Sequence, residues 1–161
     1  MSERQHRYKT QLVWTGNRGA GTAAYAAYDR AHEVKVAGKP ALSMSSDPNF
    51  RGDRARHNPE ELLVASLASC HMLWFLHLAA ESGVIITAYE DSAEGLMDES
   101  ADGSGRFTQV TLRPRVHCAP GTDTALALAL HTRAHEKCFI ANSVNFPVQC
   151  EATFAAADES F

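Results

Sequence analysis

Hydrophobic residues recur at spacings of three and four along one long segment, which predicts an α-helix over residues 58–82. Asn58 is a capping residue, Pro59 fits the first turn and Glu61 completes a capping-box-like pattern, whereas Gly83 supplies a C-terminal stop. Apolar side chains also cover most of the remaining circumference of this helix. A helix with apolar residues on most sides is expected to be buried in the middle of a structure.

The segment before this helix predicts a small antiparallel sheet. Residues 8–14 alternate with period two, and residues 22–28 and 32–36 form two further short strands after a glycine-rich turn. Residues 38–57 lack periodicity and carry prolines and charges, so we predict a long irregular connection there. Loops of this length in a small domain are often functional.

Three elements are predicted after the long helix. They are a long hairpin of residues 84–97 and 106–118, a second helix that begins with Thr122 or Asp123 as its cap, and a last strand over residues 148–154. Strands and helices in this order predict an α+β fold. The length of 161 residues fits a single domain that covers residues 1–161.

Composition excludes several classes of protein. A hydrophobic fraction of 45% and a charged fraction of 21% are globular values, which exclude general disorder and fibrous repeats. A net charge of -4 gives no general attraction to phosphate, so we expect no nucleic-acid partner. Uninterrupted apolar runs fall short of the roughly 20 residues that span a bilayer, and the N-terminus is polar. We therefore expect a cytoplasmic protein without a membrane partner.

The chain has 4 cysteines, and no two of them form a CxxC pair, which argues against a zinc ribbon or a thioredoxin motif. Cys118 and Cys150 fall on the apolar faces of predicted strands, where a thiol behaves as a small hydrophobic group. Cys70 lies among small and hydroxyl side chains in SLASCHM, and Cys138 lies at a helix end in HEKCF. Two thiols of this kind fit a peroxidatic and resolving pair, in which a sulfenic acid condenses with a second thiol to a disulfide.

A reactive thiolate needs a nearby cation, because free cysteine titrates near pH 8.5. Cys70 lies about 18 Å from the helix start, beyond the reach of the helix dipole. An arginine is preferred, because it stays charged and its planar fork can bond several acceptors. The candidates from the residues alone are Arg18, Arg30, Arg51, Arg54, Arg56 and His71.

Other chemistries are less well supported by the spacing. A metal site could combine the pairs Cys70 with His71, His117 with Cys118, and His135 with Cys138. Zinc sites normally show compact ligand pairs, and adjacent side chains point in different directions, so we expect neither a metal nor a cofactor. A Cys-His-Asn triad would use Asn142 or Asn145, but no local hydrolase motif accompanies them. We expect His77 and His131 to be surface or hydrogen-bonded core residues.

Two segments resemble one known family. NPEELLVASLASCHM (residues 58–72) and AHEKCFIANSVNFPV (residues 134–148) resemble the OsmC/Ohr family of osmotically inducible and organic hydroperoxide resistance proteins, which are thiol-dependent peroxidases. The resemblance implies that Cys70 is the peroxidatic cysteine and Cys138 the resolving one. It also assigns a role to Glu60, and among the candidate arginines to Arg18 in TGNR. His71 and the long connection before the helix resemble a less characterised branch.

The resemblance further implies an OsmC-like fold that forms an intertwined homodimer with its sites at the subunit interface. Glu60 and Cys70 are separated by about 15 Å on an ideal straight helix, which is too far for one site. Either the helix is broken between them or two chains contribute to each site. Because the apolar helix also requires burial, we predict a homodimer with two equivalent sites.

The predicted function is a thiol peroxidase that reduces organic hydroperoxides, with hydrogen peroxide as a second candidate substrate, and so protects against oxidative stress. An external thiol, such as a lipoylated protein, glutathione or another thiol, would reset the enzyme. Two alternatives remain open at this point. One is a noncatalytic module that binds a small apolar ligand, and the other is a structural or metal-binding homodimer.

Overall fold

The computed structural model describes residues 4–155. The chain divides into two compact units, Met1–Leu62 and Leu63–Phe161, and each is described by itself. Both helices and strands are present, which confirms the predicted α+β class.

The first unit contains an antiparallel three-stranded sheet. Its strands are β1 (Gln11–Trp14), β2 (His32–Lys35) and β3 (Leu42–Met44), in that spatial order. β3 lies inside the stretch that the sequence predicted to be irregular, and a 3₁₀ turn at Pro48–Phe50 follows it. The connection before the long helix is therefore partly ordered by pairing with β2.

The predicted strand over residues 22–28 is wrong, because this segment forms successive turns. Arg18 and Arg30 donate hydrogen bonds to backbone carbonyls of this segment, which a strand would use for pairing. Only Tyr28 forms a bridge, with Asn17. The segment is rich in alanine, a weak strand former, so the arginine contacts decide its conformation.

The long helix, α1 (Pro59–Glu81), agrees with its predicted bounds to within one residue at each end. The capping box is confirmed: the Glu61 N–H donates to Asn58 Oδ1 at 2.8 Å, and the Asn58 N–H donates to Glu61 Oε2 at 3.3 Å. At the other end Gly83 has φ of 70°, and the N–H groups after the helix bond back to carbonyls of its last turn. Local sequence therefore specifies both ends.

The second unit contains two three-stranded sheets. One has the order β4 (Ile86–Asp91), β7 (Pro114–Cys118) and β9 (Thr153–Phe154), and the other has the order β5 (Glu94–Glu99), β6 (Gly105–Leu112) and β8 (Val148–Cys150). β4 pairs with β7 and β5 with β6 in antiparallel fashion, whereas β8 and β9 join as parallel edge strands.

The predicted long hairpin is thus divided between two sheets. The division falls at Arg113, between β6 and β7. The Arg113 N–H donates to the Asp91 side chain at 2.7 Å, and its guanidinium pairs with Glu94 and Glu151, each at 3.1 Å. Pro114 follows and has no N–H to donate to a ladder. These local contacts interrupt an alternation that otherwise continues through residue 118.

The second helix, α2 (Thr124–Lys137), is capped by Asp123, whose carboxylate accepts the N–H groups of Ala125 and Leu126. Of the two predicted caps, Asp123 is therefore the correct one. α2 ends at Lys137, and the next residue, Cys138, is its C-cap. The hydrogen bond from the Asn142 N–H to the Cys138 carbonyl, at 3.0 Å, then leads the chain into a short 3₁₀ turn.

α1 is long and apolar enough to cross a membrane by length and composition. The sequence alone did not indicate this, because polar residues interrupt its apolar run. Within the second unit, however, Phe75 and Leu78 pack with α2 and with β7, and Leu67 packs with β6. α1 is thus a core helix on one side. On its other side a stripe stays exposed in the single chain, formed by Ala65, Ser69, Leu73, His77 and Ala80.

Candidate functional site

Cys70 and Cys138 lie together in the second unit. Cys70 is partly buried in the middle of α1, and Cys138, only 1% exposed, is the C-cap of α2. The two side chains are neighbours, because Cys70 is one of the groups that raise the pKa of the Cys138 thiol. Both cysteines are free thiols, so the structure describes the reduced form of the pair. The two residues that the family resemblance assigned to one redox cycle are therefore brought into contact.

The environment of Cys138 keeps its thiol protonated. Burial is the main cause that raises the pKa of Cys138 to about 11, and the neighbouring Cys70 contributes to the same shift. The Ala141 N–H, 3.4 Å from the Cys138 sulfur, acts in the opposite direction by donating to it. The Cys138 thiol is therefore protonated at neutral pH.

Two aromatic side chains that follow the cysteines in sequence contact each other. Trp74 lies one helical turn after Cys70, and Phe139 directly follows Cys138. The two rings meet edge to face with their centroids 5.7 Å apart, and Phe139 is 68% exposed. The Lys137 ammonium lies 5.5 Å from the Trp74 ring centroid. The pair is thus bordered by an accessible apolar surface with one cation beside it.

The predicted partners Arg18 and Glu60 lie in the first unit. Arg18 is exposed, donates to the carbonyls of Ala26 and Ala27, and forms an ion pair with Asp29 at 3.7 Å. Within residues 4–155 it forms no ion pair with Glu60. Glu60 has one buried carboxylate oxygen, Oε2, that lacks a hydrogen-bond partner in the described chain. The structure does not join these two residues to each other, and their catalytic roles stay predictions.

A second cluster in the second unit was not predicted. His71 Nε2 lies 2.9 Å from His131 Nδ1, and the Cys150 sulfur lies 3.5 Å and 3.8 Å from those two nitrogens. Cys150 was expected to be a plain core cysteine, whereas His131 is the hydrogen-bonded core histidine that the sequence predicted. The three metal-ligand pairs considered from the sequence did not include this combination, because its members are far apart in the chain.

Burial determines the protonation of this cluster. The pKa values of His71 and His131 are both lowered to about 4, chiefly by desolvation, so both imidazoles are neutral at pH 7. Burial also raises the pKa of the Cys150 thiol to about 11, with the Asp91 charge as the next cause. Phe75 stacks on His131 with ring centroids 3.9 Å apart. The cluster is therefore a largely buried group of uncharged donor atoms.

Comparisons with known proteins agree with this fold. A family model described as OsmC-like protein matches residues 52–153. The uncharacterised protein YmaD of Bacillus subtilis is 25% identical over 160 residues, which cover 96% of this chain and 98% of YmaD.

Solved structures extend the comparison. An OsmC-like protein of unknown function from Vibrio cholerae has 31% identity and a TM-score of 0.83, and the match covers 92% of this chain and 100% of that one. An organic hydroperoxide resistance protein from Legionella pneumophila shares the fold with a TM-score of 0.66, at 20% identity over 94% of this chain and 100% of that chain.

Proposed function

Because the chain belongs to the OsmC family, we propose that it is a cysteine-based thiol peroxidase that reduces organic hydroperoxides and so contributes to peroxide resistance. The observation that carries this proposal is the proximity of the free thiols Cys70 and Cys138, since a peroxidatic thiol needs a second thiol within reach. Solved structures that share the fold include proteins named for organic hydroperoxide resistance.

The proposed cycle has three balanced steps. The Cys70 thiolate attacks the distal oxygen of the hydroperoxide, the O–O bond breaks, and the leaving alkoxide takes a proton to become an alcohol. The resulting Cys70 sulfenic acid condenses with the Cys138 thiol to form a disulfide and water. An external dithiol then reduces the disulfide, becomes a disulfide itself and returns both protons. Cys138 suits the resolving role because its buried thiol keeps its proton until that condensation.

Arg18 and Glu60 complete the proposed cycle. Arg18 stabilises the Cys70 thiolate and polarises the peroxide, and Glu60 orients the guanidinium. We propose that these groups act within a homodimer, which also covers the exposed stripe of α1. The apolar surface formed by Trp74 and Phe139 favours an alkyl hydroperoxide over hydrogen peroxide.

Peroxide consumption with a dithiol reductant tests this function. We expect Cys70→Ser to lose at least about 1,000-fold of the wild-type rate, because the hydroxyl is a poor nucleophile at neutral pH. Cys138→Ser should still form the sulfenic acid, trapped by dimedone and measured by mass spectrometry, but should form no intramolecular disulfide. Cys118→Ser, which removes a cysteine of β7 outside the pair, is the matched control and should keep wild-type activity.

Normal turnover by Cys70→Ser would refute the peroxidase cycle. It would favour a noncatalytic protein that binds a small apolar ligand, since such a protein would be indifferent to this substitution. Equal loss in Cys118→Ser would show that the effect comes from packing and not from chemistry. Circular dichroism of each variant separates these outcomes from misfolding.

A further inference from the structure

We propose that His71, His131 and Cys150 bind one transition-metal ion of the zinc class inside the second unit. This site is distinct from the Cys70 and Cys138 pair and does not depend on the proposed peroxidase function. Its three donor atoms come from three separate elements, α1, α2 and β8, and all lie within 4.8 Å of one another.

The spacing of the donor atoms suits a tetrahedral ion. Zinc bonds of about 2.0–2.1 Å to nitrogen and about 2.3 Å to sulfur place two nitrogen ligands about 3.3 Å apart, and nitrogen and sulfur about 3.6 Å apart. The two imidazole nitrogens are separated by 2.9 Å, and the sulfur lies 3.5 Å and 3.8 Å from them. The hydrogen bond between the two imidazoles must break, and their rings must turn away from each other, for all three atoms to bond one ion.

The ligand set also selects the class of metal. Two imidazoles and one thiolate suit borderline and soft ions such as zinc, cobalt and copper, whereas calcium and magnesium require oxygen ligands. Burial already keeps both imidazoles uncharged, as metal ligation requires. Cys150 must lose its proton when the ion binds, because its thiol is protonated in the metal-free protein.

The site offers three protein ligands and so leaves a fourth position for water or a small ligand. Tyr89 is a candidate to support that position. Its hydroxyl is buried without a hydrogen-bond partner in the described chain, and its pKa is raised by burial, then by Asp91 and Cys150.

The outer histidine nitrogens limit the affinity. When an ion occupies the inner nitrogens, the protons reside on His71 Nδ1 and His131 Nε2. Both atoms are buried and have no acceptor within residues 4–155. Missing outer contacts of this kind cost about 10- to 100-fold in metal affinity. We therefore expect a dissociation constant of about 1 μM, weaker than that of a closed four-cysteine site.

The redox pair stays separate from this site. Cys70 and His71 are neighbours on α1, and successive side chains on a helix point about 100° apart. Cys70 accordingly meets Cys138 at the end of α2, whereas His71 meets His131 two turns earlier. An ion at the cluster would join both helices to β8 without blocking the thiol pair.

Cobalt titration of the chelator-treated full chain tests the site. We expect one Co²⁺ per chain, a thiolate-to-cobalt charge-transfer band in the near ultraviolet, and the intense visible bands of a tetrahedral ion. Zinc should displace the cobalt and raise the unfolding temperature by mass action. Cys150→Ser should remove the charge-transfer band and weaken binding by more than about 100-fold.

Matched controls assign the ligands. Cys118→Ser and the double variant Cys70→Ser with Cys138→Ser should both keep the band and the stoichiometry. His131→Gln should weaken binding without loss of the far-ultraviolet circular dichroism. Absence of the charge-transfer band in wild-type protein would overturn the proposal, even if a variant failed to fold. Loss of the band in the Cys70 and Cys138 double variant would also overturn it, because the ion would then lie at the redox pair.

Discussion

Only part of the Arg18 guanidinium has hydrogen-bond partners among the described residues. Its Nε and one terminal nitrogen serve the carbonyls of Ala26 and Ala27 and the ion pair with Asp29. The other terminal nitrogen, Nη1, has no partner within the described residues. A planar head group held on one side can present its remaining N–H groups to a thiolate or a peroxide oxygen.

Arg18→Lys tests this interpretation, because lysine keeps the charge but loses the fork. We expect kcat/KM for an alkyl hydroperoxide to fall about 10-fold or more. Glu60→Gln should also lower kcat/KM, because Glu60 is proposed to orient the Arg18 guanidinium. Arg54→Lys, an exposed arginine of the same unit with no role in the proposed cycle, should leave the rate unchanged. A wild-type rate in Arg18→Lys would remove Arg18 from the mechanism.

The sequence did not predict which side chains Cys150 contacts, and the reason is physical. Its alternation on a strand correctly predicted an inward side chain, but its contacts depend on how two helices rotate against β8. Such contacts leave no periodic pattern in the chain. The proximity of Cys70 and Cys138 was expected only from the family resemblance, because the number of residues between them does not determine how far apart they lie in the fold.

The helices were predicted best because their ends are specified locally. Caps and stops act within four residues of a helix end, so the nearby sequence was enough to predict where α1 and α2 begin and end. Strand limits were predicted less well. The alternation through residues 106–118 continues across Arg113, where contacts with Asp91, Glu94 and Glu151 from other parts of the chain divide the strand.

The capping box of α1 gives a prediction at the scale of an element. Asn58→Ala removes the acceptor for the Glu61 N–H and should lower the free energy of unfolding by about 1 kcal/mol. Urea unfolding followed by circular dichroism measures this change. Asn49→Ala is the control, because the Asn49 side chain makes no hydrogen bond in the described chain and should cost less than about 0.5 kcal/mol. An equal loss in both variants would show that the box contributes nothing specific.

The molecule as a whole leaves one face of α1 uncovered. The exposed stripe of α1 has Leu73, which is 63% exposed, at its centre, the small residues Ala65 and Ser69 on one side of it, and His77 and Ala80 on the other. Small residues allow another backbone to approach closely, and an isologous contact would place the same stripe on both partners. The exposed stripe therefore supports the proposed homodimer.

Leu73→Glu tests the homodimer directly. If two copies meet along the stripe, each dimer would bury two like charges, and sedimentation velocity should show a shift from dimer to monomer at micromolar concentration. Leu128→Glu is the matched control: Leu128 is 52% exposed on α2, outside the stripe, and its variant should stay dimeric. Peroxidase activity should fall with dissociation if each site needs both chains. A wild-type protein that sediments as an active monomer would refute the two-chain site, because Arg18, Glu60 and both cysteines would then have to act within one copy.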